Sequence, residues 1–305
     1  MGIGIELGIR APQKAIERAA EISDKNDVDY FFVPETHPKV YGVDAFETLL
    51  KLGERTQHVT LGTAIVNVFS RSKEQILSAS EKLYSRSGSR FVLGIGTSAP
   101  VIVEKLWKVK FKNPLSRLKE YSEFIRKSFK GKIFWAAVGE KTVREAAINA
   151  DGVLFFLKPK SQIKKDVILI KQNLTNPKDT FEVISIVPTY FAKQNSFQAK
   201  MTLASYIGAN EFYSKPLAKA GFESELKKIR SIYNNLGLKE AAKNVSDKLV
   251  DELVVSGTPQ ECAKKIFDLK KDSHQSSIIL GFDLPESGYT NNFFNELENL
   301  LKDIK

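Results

Sequence analysis

The sequence is poor in the residues that build metal sites and disulfide bonds. Its 305 residues include one cysteine and three histidines. A lone cysteine excludes an internal disulfide bond and a cysteine-based metal cluster, and three scattered histidines make a zinc site an unfavourable interpretation. Cys262 lies in "TPQECAKKIFDLKK", on the apolar face of a predicted helix, so we expect it to pack inside the protein. No bound metal ion is expected.

Long apolar runs and flexible linkers are also missing. No window reaches the roughly 18 apolar residues of a membrane span. The first residues do not combine a charged segment with a long apolar stretch, as a signal peptide would. The 18 glycines and 11 prolines form no Gly/Ser linker or low-complexity tract, which argues against long disorder. We therefore expect a folded cytoplasmic protein with no membrane partner.

Positive charge is plentiful but scattered. The chain has 46 Lys and Arg against 36 Asp and Glu, a net charge of +10, which raises the hypothesis of nucleic-acid binding. The lysines, however, are spread along predicted helix faces such as "ELKKIRSIYNNLGLKEAAK" and form no single patch. This spread favours a solvated surface that attracts small anionic ligands. A small-molecule substrate is expected, and no nucleic-acid partner.

Short apolar runs alternate with helical periods along the whole chain. Such alternation predicts a parallel sheet with helical crossovers, and eight strand–helix units over this length favour a single (β/α)₈ TIM barrel spanning 1–305. A doubly wound sheet is the alternative, but "GIGTSA" after the fourth strand is only half of its G-x-G-x-x-G signature. The predicted strands are 2–9, 29–35, 59–67, 90–97, 132–139, 151–157, 181–192 and 276–284.

Two segments are longer than ordinary loops. They cover about 98–116 and a helical insertion at about 194–255, and each follows a predicted strand. Since loops after barrel strands lie at the C-terminal mouth, both are predicted to cover that mouth.

Polar and small residues collect where the predicted strands end, which is where parallel α/β folds place their chemistry. "DYFFVPETH" illustrates the pattern, because a run that is apolar on both faces ends in a carboxylate, a hydroxyl and an imidazole. The candidates are Glu6, Glu35, Thr36, His37, Thr63, Ala64, Ile65, Asn67, Gly96, Thr97, Ala137, Val138 and Gly139.

Glu6 is the leading catalytic candidate. It lies between Ile5 and Leu7 in the first strand, and a carboxylate inside a barrel is costly unless it is paired, protonated or functional. Burial would raise its pKa toward the range in which it donates a proton near neutral pH. Pairing with Arg10 is the structural alternative. Glu35 is the second catalytic candidate on similar grounds, whereas His37 precedes a proline and is equally compatible with an ordinary loop residue.

Gly139 begins a different kind of motif, "AVGEKTVREAA". A glycine lets the backbone approach a ligand closely, and the helix that follows offers free N–H groups to a phosphate. An ordinary strand-to-helix turn, capped by Thr142, is the alternative.

Six segments in order and spacing resemble the bacterial-luciferase-like superfamily, and within it the deazaflavin-dependent branch typified by methylenetetrahydromethanopterin reductase. The resemblance implies a barrel with a flavin, or the deazaflavin coenzyme F420, at the mouth. It also implies a non-prolyl cis peptide at Ala64–Ile65, a Glu at Glu6 and an acidic residue at Glu35. The segments are "GIELG", "DYFFVPETH", "VTLGTAIVNVFSRS", "SGSRFVLGIGTS", "FWAAVGEKTVREAAINADGVL" and "VSGTPQECAKKI".

On this resemblance we expect an F420-dependent oxidoreductase that reduces a methylene-pterin or a similar molecule. Glu6 would act as general acid, Glu35 and Thr36 would orient the ring, Ala64 and Ile65 would back it, and the amides near Gly139 would hold a phosphate. An FMN-dependent monooxygenase and a non-catalytic flavin-binding relative are the alternatives. A homo-oligomer, dimeric or tetrameric, is expected. A basic rim for the cofactor tail is predicted from Lys141, Arg144, Lys158 and Lys160.

Overall fold

The computed structural model describes residues 1–35, 37, 43–174, 180–192, 196–272, 275–283 and 288–304. Its strands are short and apolar. They are β1 (Gly2–Leu7), β2 (Tyr30–Val33), β3 (Thr60–Thr63), β4 (Val66–Asn67), β5 (Phe91–Gly96), β6 (Ile133–Ala136), β7 (Gly152–Phe156), β8 (Glu182–Tyr190), β9 (Val255–Ser256) and β10 (Ser277–Phe282).

Helices separate most of these strands. They are α1 (Gln13–Lys25), α2 (Ala45–Arg55), α3 (Lys73–Arg86), α4 (Pro100–Lys105), α5 (Pro114–Arg126), α6 (Glu140–Asn149), α7 (Lys160–Asn173), α8 (Phe197–Ala209), α9 (Ser214–Leu217), α10 (Glu223–Leu236), α11 (Leu238–Lys243), α12 (Asp247–Leu253), α13 (Pro259–Asp272) and α14 (Asn291–Asp303).

The described strands close into a parallel barrel. β1 pairs with β2 on one side and with β10 on the other, and β10 also pairs with β8, which joins the two ends of the sheet. Every ladder is parallel, so the C-terminal ends of the strands meet at one mouth. The predicted (β/α)₈ TIM barrel is confirmed, and the doubly wound alternative is wrong.

The barrel strands are covered on both faces, which explains their continuous apolarity. A small cluster fills the interior, including Phe32, Phe134 and Ile279. A larger cluster lies between the strands and the surrounding helices, whose apolar faces pack inward. Cys262 belongs to this outer layer and is fully buried, as its position on an apolar helix face predicted.

Local signals fix several helix starts. The Asp44 side chain accepts a hydrogen bond from the Glu47 amide at the start of α2, and Ser72 with Gln75 forms a capping box at the start of α3. These polar caps satisfy amide groups that a helix leaves unpaired. α2 and α3 therefore begin where the sequence places a capping side chain.

Two features refine the predicted strand pattern. The third predicted strand is interrupted, because a cis peptide joins Ala64 to Ile65 between β3 and β4. The segment after β8 contains the five helices α8 to α12 between Phe197 and Leu253 and has an apolar cluster of its own. Among the described helices, none combines the length and apolarity that a membrane crossing requires.

Candidate functional site

Glu6 points into the barrel interior at the mouth. A Cβ on Gly4 would meet the side chains of Ile279 and Tyr30, so Gly4 faces inward. Since side chains alternate along a strand, Glu6 faces the same way, one layer nearer the mouth. Below it the interior is apolar. Glu6 is therefore the first ionisable group that a ligand meets on β1.

The Oε2 atom of Glu6 is enclosed and has no hydrogen-bond partner among the described residues. The residue as a whole is half-buried. Burial, with a further contribution from the charge of Asp283, raises the pKa of Glu6 to about 8. Glu6 therefore holds a proton at neutral pH and can release it to a base.

Glu35 lies at the end of the neighbouring strand but is fully engaged. Its side chain is only 2% exposed. Oε1 accepts a hydrogen bond from Arg71 Nε at 2.8 Å, and Oε2 accepts from the Asn67 amide at 2.8 Å and from Ser70 Oγ at 2.7 Å. Arg71 also pairs with Asp44. Burial raises the pKa of Glu35, while these donors oppose the shift.

The loop between β3 and β4 forms one wall of the mouth. Ala64 and Ile65 are half-buried and pack against the interior apolar cluster. Thr63 is directed elsewhere, because its hydroxyl donates to Gly94 O at 2.8 Å and accepts from Gly94 N at 2.9 Å. Asn67 is buried, and within the described part of the chain its Nδ2 has no hydrogen-bond partner. This wall offers an apolar surface and one unpaired amide donor.

His37 contacts the longer connection after β5. Its ring lies 4.7 Å from that of Trp107, centroid to centroid, and its buried Nδ1 has no hydrogen-bond partner among the residues that the structure describes. Thr36 lies outside the described residues. Trp107 belongs to the segment at about 98–116 that is predicted to cover the mouth. Its contact with His37 places this part of the segment over the end of β2.

Small residues allow close packing at the ends of β5 and β6. A Cβ on Gly96 would lie 3.0 Å from Ala136 Cβ and 3.1 Å from Ile65 Cδ1, so the position tolerates no larger side chain without movement. Thr97 follows and is half-buried, as is Val138, whereas Ala137 is buried. Glycine at position 96 therefore lets the β3–β4 loop pack closely against the end of β5.

The N-terminus of α6 is open. Gly139 is its N-cap, no side chain caps the helix, and nothing lies within 4 Å of a Cβ built on this glycine. Its first amides can therefore receive an anion. Thr142 does not cap the helix, so the predicted cap is wrong. The choice between a phosphate site and an ordinary strand-to-helix turn stays a prediction.

One residue of the predicted basic rim is not at the surface. The Lys158 side chain is 2% exposed, pairs with Asp166 and lies 3.9 Å from the centroid of the Phe155 ring. Lys158 lies two residues after β7 and just before α7, and its ammonium group points into the protein toward Asp166 instead of toward solvent. The prediction that Lys158 belongs to the rim is wrong. Lys141 and Arg144 are exposed on α6, and Lys160 is half-buried at the start of α7.

The structure adds a group of residues that the strand-end pattern did not select. Asp283 follows β10, beside Glu6, and could have been found by the strand-end rule. The aromatic residues could not, because most belong to the insertion and carry no local signal of their destination. Phe156, Tyr206 and Tyr213 lie within 6 Å of one another, centroid to centroid, and burial raises the pKa of Tyr206 well above its usual value, with Asp283 and Glu6 contributing.

A separate cavity of about 410 Å³ lies at the opposite end of the barrel. Its polar lining is satisfied, since Glu182 accepts hydrogen bonds from Tyr30 Oη and Lys132 Nζ, both at 2.6 Å. Its location at the N-terminal ends of the strands marks it as part of the supporting face of the barrel. Within the described ranges, no three His, Cys, Asp or Glu side chains are arranged to hold a metal ion.

Known proteins share this architecture. The chain is 26% identical to a 5,10-methylenetetrahydromethanopterin reductase of Archaeoglobus fulgidus, over 89% of this chain and 90% of that protein. The structure of a coenzyme F420 dependent tetrahydromethanopterin reductase from Methanopyrus kandleri superposes with a TM-score of 0.80 at 17% identity, covering 99% of this chain and 97% of the other. An F420-dependent secondary alcohol dehydrogenase in complex with an F420–acetone adduct gives 0.75 at 12% identity, covering 100% and 99%.

A family model extends these similarities to the sequence as a whole. It describes the luciferase-like monooxygenases and matches residues 5–134 and 130–274. These matches include the mouth residues from Glu6 to Gly139 and the whole insertion. The protein therefore belongs to the luciferase-like monooxygenase family.

Proposed function

We propose that this oxidoreductase depends on coenzyme F420 and transfers a hydride between the reduced deazaflavin and a small substrate such as 5,10-methylenetetrahydromethanopterin or a related pterin. The observation that carries the proposal is the carboxyl group of Glu6, which is enclosed, unpaired at Oε2 and directed into the mouth. The names of the Archaeoglobus fulgidus and Methanopyrus kandleri proteins support the cofactor and the substrate class.

The residues at the mouth fit a flat, phosphate-bearing cofactor. Ala64 and Ile65 present a partly exposed apolar surface, and Gly96 lets Ile65 pack closely against β5. Asn67 Nδ2 is an unpaired donor that a ring carbonyl could accept from. The uncapped amides after Gly139 are suited to a phosphate.

The protein contributes orientation and proton transfer. Coenzyme F420, when bound, supplies the hydride chemistry. Glu6 holds a proton in an apolar setting and donates it to a nitrogen of the substrate, which makes the neighbouring carbon more electrophilic. Glu35 holds the β3–β4 loop through its hydrogen bond from the Asn67 amide. The contacts of Thr36 and His37 with the cofactor ring stay predictions.

Charge supports the same cofactor. F420 carries a phosphate and a tail of carboxylates, whereas FMN carries one phosphate. Lys141 and Arg144 are exposed on the first two turns of α6, beside the uncapped amides. These two side chains, with Lys160, form the basic rim that we propose for the start of the tail.

Titration of the apo protein with F420 and with FMN, each at moderate and at high salt, tests the cofactor. F420 should bind more tightly and should lose more affinity as salt screens its tail. Tighter binding of FMN, with oxygen consumption in the presence of substrate, would instead support a flavin-dependent monooxygenase. Binding of neither cofactor would support a non-catalytic relative.

A pair of matched variants tests the rim. The double variant Lys141→Ala with Arg144→Ala should weaken F420 binding several-fold and reduce its salt dependence, because two exposed charges near the tail are removed. Lys302→Ala removes an exposed charge from the other end of the barrel and should leave both properties unchanged. Equal effects of the two changes would argue for a general surface charge effect.

We also propose a homo-oligomer, dimeric or tetrameric, a cytoplasmic location, and one domain over 1–305 in which the helices between about 194 and 255 are an insertion. Light scattering on the purified protein measures the oligomeric state. A monomeric mass at all concentrations would contradict the first of these proposals.

A further inference from the structure

Asp283 lies on the same inner face of the barrel as Glu6, on the adjacent strand. β1 and β10 pair in parallel with Glu6 opposite Gly281 and Leu7 opposite Phe282. A Cβ on Gly281 would lie 3.3 Å from Ile186 Cγ2 in the interior, so Gly281 faces inward. Alternation then brings Asp283 to the inner face, one inward position beyond Glu6 and nearer the mouth.

The backbone that carries Asp283 is fixed closely against the end of β1. The Gly8 amide donates to Phe282 O at 2.7 Å, and Tyr289 Oη donates to the same carbonyl at 2.9 Å. A Cβ on Gly8 would lie 2.7 Å from Asp283 Oδ1 and 2.9 Å from Asp283 Cα. Glycine at this position is therefore what allows Asp283 to approach β1 so closely.

Among the described residues, three titratable groups interact electrostatically with Glu6: Asp283 after β10, Tyr206 in the insertion and Tyr289 before α14. Tyr190, at the end of β8, interacts in turn with Asp283 and Tyr206, and Tyr213, in the insertion, interacts with Tyr206. The tyrosines have raised pKa values, chiefly through burial, so they are neutral at neutral pH. In the part of the chain that the structure describes, the influences identified on Glu6 are burial and the charge of Asp283, and both disfavour its ionised form.

We propose that Asp283 is a positioning residue of this reaction, whose carboxylate, held by the close contact at Gly8, acts through Glu6 and keeps Glu6 in its neutral, proton-bearing form. The inference rests on the proposed function, because it takes Glu6 as the acid. A second negative charge on Glu6 would lie near that of Asp283 in a poorly hydrated place, where repulsion is weakly screened. Asp283 itself transfers no proton to the substrate.

The experiment measures the ionisation of Glu6 in the apo protein. The infrared difference between the wild type and Glu6→Gln, recorded against pH, reports the protonated carboxyl group of Glu6. In the background of Asp283→Asn the same difference should titrate at lower pH, by on the order of one pH unit. Asp283→Glu should restore the original midpoint. Asp268→Asn removes an exposed carboxylate outside the barrel and should leave the midpoint in place.

Activity provides a second measurement. In Asp283→Asn the alkaline limb of the pH profile of kcat/KM should move to lower pH by the same amount, while kcat on the acid side is kept. An unchanged midpoint of Glu6 in a folded Asp283→Asn protein would overturn the inference. If that variant does not fold, Gly8→Ala, which displaces Asp283 without removing it, should lower the midpoint, and failure to do so would overturn the inference equally.

The two proposals fail separately. If Glu6→Gln retains full turnover, the acid role in the proposed function is wrong, yet the infrared midpoints still decide whether Asp283 acts on Glu6. If the midpoints do not differ while Glu6→Gln abolishes turnover, the proposed function stands without Asp283.

Discussion

Two glutamates at the ends of adjacent strands have opposite surroundings. Glu6 ends β1 with an enclosed oxygen that has no hydrogen-bond partner. Glu35 follows β2 and accepts three hydrogen bonds, one of them within an ion pair with Arg71. Burial raises the pKa of both, but only Glu35 has donors that oppose the shift.

The difference separates a reactive group from a supporting one. A carboxylate whose oxygens are already bonded to the backbone and to an arginine is stabilised as an anion and fixed in place. A carboxyl group with an unused oxygen in an apolar layer is poised to exchange a proton. Both were predicted as catalytic. The surroundings of Glu35 favour a role in holding the β3–β4 wall, and its catalytic role stays a prediction.

The largest expected effect is on turnover. Glu6→Gln keeps the shape of the side chain but has no acidic proton, so kcat should fall by about 10²–10⁴-fold. The dissociation constant of the cofactor should change little. Steady-state kinetics with fluorescence titration measures both, and near-normal turnover would remove the distinction between the two glutamates.

Loss of the Glu35 carboxylate should lower the stability of the fold more than it lowers turnover. Glu35→Gln removes the charge that pairs with Arg71, which keeps Asp44 as a partner, and should lower the free energy of unfolding by about 1.5–3 kcal/mol, with weaker cofactor binding because the β3–β4 wall loosens. Glu54 pairs with Arg86 at the surface, both being more than half exposed. Glu54→Gln should cost less than about 1 kcal/mol. Denaturant unfolding measures the two changes, and equal costs would mean that Glu35 is no anchor.

The pH dependence of the protein's stability should further distinguish Glu6 from Glu35. The pKa of Glu6 is about 8 in the folded protein, against an ordinary value of 4.5 that applies to the unfolded chain, so the folded protein binds more protons between these values. The stability from neutral Glu6 is complete below about 4.5 and is lost as the pH rises through about 8. The melting temperature of the wild type should therefore fall relative to that of Glu6→Gln over this range. A constant difference would mean that Glu6 is already ionised at neutral pH.

The smallest expected effect is on cofactor affinity and comes from Gly96, which packs between Ile65 and Ala136. In Gly96→Ala the new Cβ would crowd Ile65 and Ala136, so the affinity for the cofactor should fall a few-fold while the proton step at Glu6 is unaffected. Gly53→Ala, in α2, meets only contacts of 3.4 Å or more and should bind as the wild type does. Isothermal titration of both variants measures the difference, and unchanged affinity for Gly96→Ala would place the ring elsewhere.

Much of the barrel could be predicted from periodicity alone. Each of the eight barrel strands falls within a predicted apolar run, because a strand buried on both faces must be apolar throughout. The break between β3 and β4 carries no such pattern, and it was expected only from the resemblance to a known family. The resemblance also pointed to Glu6 and Glu35 together.

The amino-acid sequence by itself determined the strand and helix periods, the strand-end position of Glu6 and the scarcity of metal ligands. The tertiary structure decided which carboxylate is paired, because Arg71 and Glu35 are separated along the chain and meet only when the residues after β4 lie against the end of β2. It also turned Lys158 inward onto Asp166 and brought Asp283 beside Glu6, since residues nearly 280 positions apart become neighbours only when β10 closes the barrel against β1. Periodicity records which face of an element is buried, whereas partners across the barrel depend on how the whole sheet closes.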